Sequence, residues 1–183
     1  MPDPRNFRVD DTLRNGVAVI IRALRADDRE RIADAVRRMD RESVYTRLFG
    51  YRSELTDAGL DRIMRFDPEH EVALVVTTGA GVDEIVVAAG RYIVADTASA
   101  GRAAEIAFVV DKDFRGLGLA GRVLRHLAAI AREHGIASFE ADVLAENASM
   151  LAVFARSGLP MRNRRDGGAV HVTLALDEGP STP

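Results

Sequence analysis

Two groups of residues in this chain have types and spacing suited to chemistry. The first is Arg115-Gly116-Leu117-Gly118-Leu119-Ala120, which sits between an apolar run, Ile106 to Val110, and an amphipathic helical stretch opening near Gly121. Strand, glycine turn and helix make an anion site. Glycines let the backbone approach a ligand closely, while the open amides and positive dipole end of the helix attract negative charge. The loop points to a phosphate-bearing ligand. The second is Glu105, a carboxylate at the head of the same apolar strand, leading straight into the loop. A carboxylate so placed can serve as a general base. It can equally mark a solvated strand end or pair across strands with Arg91 or Arg102.

The spacing of the loop separates the known users of such turns. A Walker loop needs Lys-Ser or Lys-Thr after its last glycine, and none is present. A dinucleotide loop needs three glycines and an acidic residue at the end of the next strand. Here Arg115 is followed after two residues by Gly118 and, one residue later, by small Ala120. This pattern resembles the acyl-CoA pyrophosphate loop of the GNAT N-acetyltransferase superfamily. The resemblance runs from Val17 to Leu176, because the following segments keep the superfamily's order. A helix ends at His134-Gly135, a strand spans Ser138 to Leu144, and Glu146-Asn147-Ala148-Ser149-Met150 opens a helix reaching Gly158.

A narrower resemblance lies upstream, in residues 42–49 (ESVYTRLF), Glu54-Leu55-Thr56, residues 70–75 (HEVALV), Ala89-Gly90-Arg91-Tyr92 and Ala104-Glu105-Ile106-Ala107-Phe108. These are similar to the Pat-type protein lysine acetyltransferases. That family acetylates lysines on acyl-CoA synthetases and related enzymes, often from a catalytic module fused to a second domain for which 183 residues leave no room. The resemblance implies a GNAT fold, an α/β mixed sheet flanked by helices, with acetyl-CoA as cofactor and coenzyme A as product. It implies a protein acceptor, an acyl-CoA synthetase, and leaves a homodimer open.

For the site, the resemblance makes Glu105 the catalytic base. The backbone of Phe108, Val109 and Val110 would hold the pantetheine arm as an added strand, with further main-chain contacts from Asp111 and Lys112. Arg115 and the amides of Gly116, Leu117, Gly118, Leu119 and Ala120 would take the pyrophosphate. Asn147 and Met150 would form the second cofactor-contacting segment, and Asn147 also reads simply as a helix N-cap. Arg122 and Arg125 either reach the nucleotide's other phosphate or are solvated. Glu71 and Glu140 are weaker alternatives to Glu105, and His70 reads as a surface histidine. One departure stands out. Phe154 occupies the position where many superfamily members carry a tyrosine that protonates the departing thiolate, leaving water, Ser149 or no acid at all for that step.

The implied chemistry fits the residues. A lysine ε-amine has an ordinary pKa near 10.4, so attack at pH 7 starts roughly 4 to 5 kcal/mol uphill, and a positioned base offsets part of that. The chain has no cysteine to carry an acyl group, which suits direct transfer and also excludes disulfides and thiolate metal sites. No metal is expected. Net charge is -3 and the isoelectric point is about 5.8, which argues against nucleic acid as the main partner. No apolar run approaches the roughly 18 residues of a membrane span, and the cytoplasm is the expected compartment. Lys112 is the one lysine among 25 basic residues. An arginine excess of this kind accompanies the alanine-, glycine- and valine-rich composition and carries no functional message.

Two other functions remain open on the sequence alone. One is a small-molecule amine acetyltransferase of the same fold. The other is a non-catalytic acyl-CoA-binding regulatory module.

The elements that must position these residues read as follows. Residues 1–16 form an arm and hairpin, 17–176 one domain and 177–183 a tail. Asn15-Gly16 marks a tight hairpin turn into Val17 to Ile21, with a loose arm before it. Asp27 or Asp28 caps a helix through Ile32, Ala35, Val36 and Met39. Helical stretches follow at Glu42 to Phe49 and from Thr56 as N-cap through Leu60, Ile63, Met64 and Phe66. Strands lie at Glu71 to Thr77, Glu84 to Val94 and Ala103 to Val110, and Ala169 to Leu176 forms the last strand after a turn at Arg162 to Gly168.

Overall fold

The computed structural model describes residues 3–38, 57–65, 67, 69–94 and 102–176. Within them the apolar runs become strands β1 (Arg8–Thr12), β2 (Ala18–Ala23), β3 (Glu71–Thr78), β4 (Ile85–Val94), β5 (Arg102–Val110), β6 (Ile136–Leu144), β7 (Met161–Asp166) and β8 (Ala169–Ala175). Helices α1 (Arg29–Arg38), α2 (Asp57–Met64), α3 (Leu119–Glu133) and α4 (Ala148–Ala155) join them. The strands form one sheet in the order β1-β2-β3-β4-β5-β6-β8-β7. Every neighbouring pair is antiparallel except β5 and β6, which α3 connects as a parallel crossover.

Burial explains the sequence patterns. On one face Ile106 and Phe108 of β5, Phe139 of β6 and Val172 and Leu174 of β8 pack under Val123, Leu124, Leu127 and Ala131 of α3. On the other, Leu24, Val75 and Val86 meet Ile32, Ala33 and Ala35 of α1 and Leu60 of α2. The centre of the sheet is thus covered on both sides, so residues 72–76 of β3 read as a nearly unbroken apolar run, whereas β8 alternates. No helix among the described residues is long and apolar enough to cross a membrane.

Gly90 of β4 shows how tight the α3 side is. A Cβ there would lie 2.6 Å from Val123 Cγ1 and 2.7 Å from Phe108 Cδ1, both on buried side chains. Gly90→Ala therefore overpacks the core and lowers unfolding stability by about 1–3 kcal/mol. Urea unfolding of the two proteins measures it.

Several expectations are corrected. The supposedly loose arm is edge strand β1, paired with β2 from Arg8 with Arg22 to Thr12 with Ala18. Its burial alternates weakly and its residues are polar, which hid it. The turn is wider than Asn-Gly alone suggests, spanning Leu13 to Gly16 and closed by the Gly16 N–H on the Leu13 carbonyl at 2.9 Å, with Gly16 at φ 85°. The stretch Arg162 to Gly168 is mostly β7, a charged edge strand whose turn is only Gly167-Gly168. Charges on an edge discourage unwanted pairing, and they also erase the apolar alternation that would have announced a strand. Asp28 precedes α1 but spends its carboxylate on Arg22 in the interior. The Glu42 to Phe49 stretch, Met39, Thr56, Phe66 and the tail lie outside the described residues.

Candidate active site

Strands β5 and β6 are paired only from Arg102 with Ile136 to Glu105 with Glu140. Beyond that point β5 runs on to Val110 against β4, and β6 runs on to Leu144 against β8. The two parallel strands therefore open into a V with Glu105 and Glu140 at its apex. The Asp111 N–H donates to the Val87 carbonyl of β4 at 2.8 Å. Two-residue alternation then turns the Val109 N–H toward β4 as well and those of Phe108 and Val110 into the V. A slot edged by strand amides can accept an extended, amide-bearing ligand as an added strand.

Where β5 ends, the phosphate turn begins. Asp111 is buried, and its carboxylate accepts the Asp113 N–H at 3.0 Å, shaping a short 3-10 turn at Lys112–Phe114. Arg38 of α1 fastens this junction, with Nε 3.3 Å from Asp111 Oδ2 and Nη2 donating to the Val86 carbonyl at 2.8 Å. Gly116 and Gly118 take φ values of 75° and 82°, a region side chains rarely adopt, and Gly118 is the N-cap of α3. The first amides of α3 thus face outward over a cleft of about 1080 Å³. Val110, Arg115, Gly116, Leu117, Gly118, Leu119, Ala120, Arg122 and Arg125 line one side, and Ser149, Met150 and Val153 of α4 line the other. Glycine turn, helix N-terminus and arginines together make this cleft suited to a polyphosphate.

Glu105 points to the face of the sheet away from α3, since its neighbours Ala104 and Ile106 are the residues buried on the α3 side. It is exposed, and no hydrogen bond or ion pair joins it to a described residue. The pairings offered by sequence go elsewhere. Arg102 donates to the His134 carbonyl at 2.8 Å, and Arg91 lies 4.0 Å from Glu71. Partial burial in the sheet surface raises the Glu105 pKa above its ordinary value and the Asp142 carboxylate raises it further; Arg91 pulls it back, and Glu140 adds a lesser push upward. A raised pKa makes it a stronger base. Glu71 is also raised, chiefly by burial, but it is tied to Arg91. His70 is an exposed histidine 2.8 Å from Asp67.

The remaining candidates separate by geometry. The Asn147 Oδ1 accepts the Met150 N–H at 3.2 Å and the Ser149 hydroxyl at 3.0 Å, so its oxygen is committed to capping α4. Met150 and Ser149 line the cleft, and Asn147 is not among its lining residues. Val109 turns its side chain to an apolar pocket between the sheet, Ile32, Val36 and Ile63. Phe154 is buried with its ring 6.1 Å from that of Phe108, so it supports the floor of the V and offers no proton. Tyr92 is not a substitute acid. It is buried, hydrogen-bonded to His134 at 3.0 Å, and its pKa is pushed up to about 12 by burial.

Arg14 and the bracing contact of Arg122 carry no linear signal. Arg14, in the β1–β2 turn, lines the cleft, and Arg122 is ion-paired to Asp11 of β1. The arm thus braces the phosphate end across more than a hundred residues of sequence, a distance no motif spans.

A split parallel strand pair that ends in a glycine turn and helix N-terminus can hold an extended ligand with a polyphosphate at one end. The family model Acetyltransferase (GNAT) family matches residues 34–159. The chain belongs to this family and is a GNAT acetyltransferase. It is 31% identical over 140 residues to Acetyltransferase PA5475 of Pseudomonas aeruginosa, covering 76% of this chain and 74% of the relative. Its fold is similar to the crystal structure of the GNAT domain of S. lividans PAT, with a TM-score of 0.78 and 30% identity, covering 92% of this chain and 96% of that one. It is also similar to a cAMP-binding acyltransferase from Mycobacterium smegmatis, with a TM-score of 0.63 and 25% identity, but spans only 49% of that chain. The putative acetyltransferase yncA from Salmonella typhimurium, solved with its cofactor acetyl-CoA, shares the fold at a TM-score of 0.68 and 19% identity.

Proposed function

We propose that this enzyme transfers the acetyl group of acetyl-CoA directly to a lysine ε-amine of a protein, with an acyl-CoA synthetase as acceptor and Glu105 as general base. The observation that carries the reading is the V between β5 and β6, with amides suited to phosphate at its open end and, at its apex, a carboxylate that bonds to no described residue. The likeness to the S. lividans PAT domain over nearly the whole chain supports the acceptor class.

In this reading the pyrophosphate rests on the amides of Gly116 to Ala120, beside Arg115. The pantetheine arm runs along β5 and takes the N–H groups of Phe108 and Val110. The amine arrives on the face away from α3, where Glu105 removes its proton directly or through water. As nitrogen bonds to the thioester carbon, negative charge builds on the carbonyl oxygen, and a β5 amide stabilises it. Collapse of the tetrahedral intermediate breaks the carbon–sulfur bond. The thiolate needs little help to leave because its pKa is near 8.5. Ser149 or water can return its proton.

Gly118→Val tests the cofactor half. No atom lies within 4 Å of a Cβ at Gly118, so the new side chain meets only the cleft and an unfavourable φ of 82°. Titration calorimetry with coenzyme A is expected to show at least about tenfold weaker binding, because methyl groups stand over the helix amides and a strain on the order of 1–2 kcal/mol drives the free loop out of the conformation that presents them.

The acceptor half is tested by coenzyme A release from acetyl-CoA with a purified acyl-CoA synthetase beside a panel of free amines. The synthetase is expected to be the better acceptor in kcat/KM. A free amine that outperforms it would install the small-molecule reading. Coenzyme A binding without turnover on any amine would install the regulatory one.

A further inference from the structure

Helices α1 and α2 cover the sheet face that carries Glu105 only over β2 to β4. Beyond β5 the described residues on that face are mostly polar. Register places Glu105 opposite Glu140, Glu140 opposite Thr173, and Thr173 opposite Arg162, in one row across β5, β6, β8 and β7. The next row holds Asp142, His171 and Arg164, with the Asp142 carboxylate 2.9 Å from His171 Nδ1. Opposite partners share a face, so the row begins in carboxylates at the base and ends in guanidinium groups at the edge. Arg162 and Arg164 are exposed, and neither forms an ion pair with any other residue described here.

We propose that this bipolar strip is the docking surface for the acceptor protein, and that it selects a lysine with an acidic side chain displaced along an extended segment. The inference rests on the reading of Glu105 and lysine given above. Charge complementarity sets the occupant. The ammonium group is drawn to the carboxylates around Glu105, and an evenly basic segment would be repelled by Arg162 and Arg164. A lysine paired with a carboxylate satisfies both ends. Three strand spacings of about 4.8 Å separate Glu105 from Arg162, about 14 Å in all, and an extended chain advances about 3.3 Å per residue. The acidic residue therefore belongs about four positions from the lysine. Edge charges also discourage strand pairing, but Arg165, opposite Val170, lies on the other face of β7 and serves that purpose equally.

The test uses the whole chain with acetyl-CoA and neutral single-lysine peptides in which one glutamate is moved stepwise away from the lysine. The wild type is expected to show a maximum in kcat/KM near the fourth position on one side, about threefold to tenfold above its neighbours. In Arg162→Glu/Arg164→Glu the ratio of glutamate-bearing to arginine-bearing peptide inverts. In Arg165→Glu it stays as in the wild type. A flat series, or an equal change in Arg165→Glu, overturns the surface while leaving the chemistry at Glu105 standing. Failure of every lysine peptide, with turnover retained on small amines, overturns the lysine reading and the surface with it.

Discussion

Glu105→Gln is expected to lower kcat by about 10²–10⁴-fold, the usual worth of a positioned base, while leaving coenzyme A affinity within about twofold. The substitution keeps the shape of the side chain and removes only its charge. Because no described residue bonds to Glu105, the fold loses nothing with it. The pH dependence adds a second signature. Glu105 is raised above the ordinary 4.5 by its burial and by Asp142 and Glu140, so the wild-type rate falls as acid protonates it, at a pH above that of an isolated glutamate. In Glu105→Gln that limb disappears, and the remaining dependence is that of the amine. An unchanged kcat, or an acid limb retained in the variant, would remove Glu105 as the base.

The second large effect concerns stability. Arg22 and Asp28 are 2% and 0% exposed and form a bidentate pair, with both Nη–Oδ distances at 2.7 Å. Asp28 also accepts the Arg25 N–H at 2.8 Å, and Arg22 reaches Glu84 at 3.2 Å. Asp28→Ala leaves the buried guanidinium with only the half-buried Glu84 as counter-charge and is expected to cost about 3 kcal/mol in urea unfolding, whereas Arg22→Met with Asp28→Leu, which removes both members of the pair, is expected to cost far less. Burial alone would raise the Asp28 pKa, but Arg22, the Arg25 amide and Arg31 outweigh it and hold the carboxyl below its ordinary 3.8. A folded-state value below the unfolded one gives stability that is complete above the ordinary carboxylate pKa and lost as the pH falls through the lowered one. Asp28→Ala should lack that part of the acid transition. The pair also supports the site, because Asp28 sits at the start of α1 and α1 ends in the Arg38 that fastens Asp111 below the phosphate turn.

How far the sequence foretold this arrangement depends on how local each feature is. The glycine turn and the helix after it are set by neighbours in the chain and fall where the spacing predicts, whereas Glu105 lies in the middle of β5, three residues past its start at Arg102, rather than at its head. Phe154 was recognisable as the wrong residue for an acid from its identity together with the superfamily resemblance, which places a tyrosine there in many members. The Arg22–Asp28 pair was hidden because two charged residues six positions apart look like any solvated pair until the sheet closes over them. The bond from Arg38 to Asp111 and that from Arg122 to Asp11 join distant segments. Strands β1 and β7 were missed because edge strands need no apolar alternation. The V itself is invisible in sequence, since it consists in two strands ceasing to pair.

That gap is also where the account is most directly tested, by amide hydrogen exchange of the protein with and without saturating coenzyme A. Slowed exchange at Phe108 and Val110 of β5 and along Gly116 to Ala120 is the predicted result, with the apolar pocket at Ile32, Val36 and Ile63 unchanged. Protection confined to that pocket, with β5 and the glycine turn exchanging as before, would contradict a cofactor lying between β5 and β6.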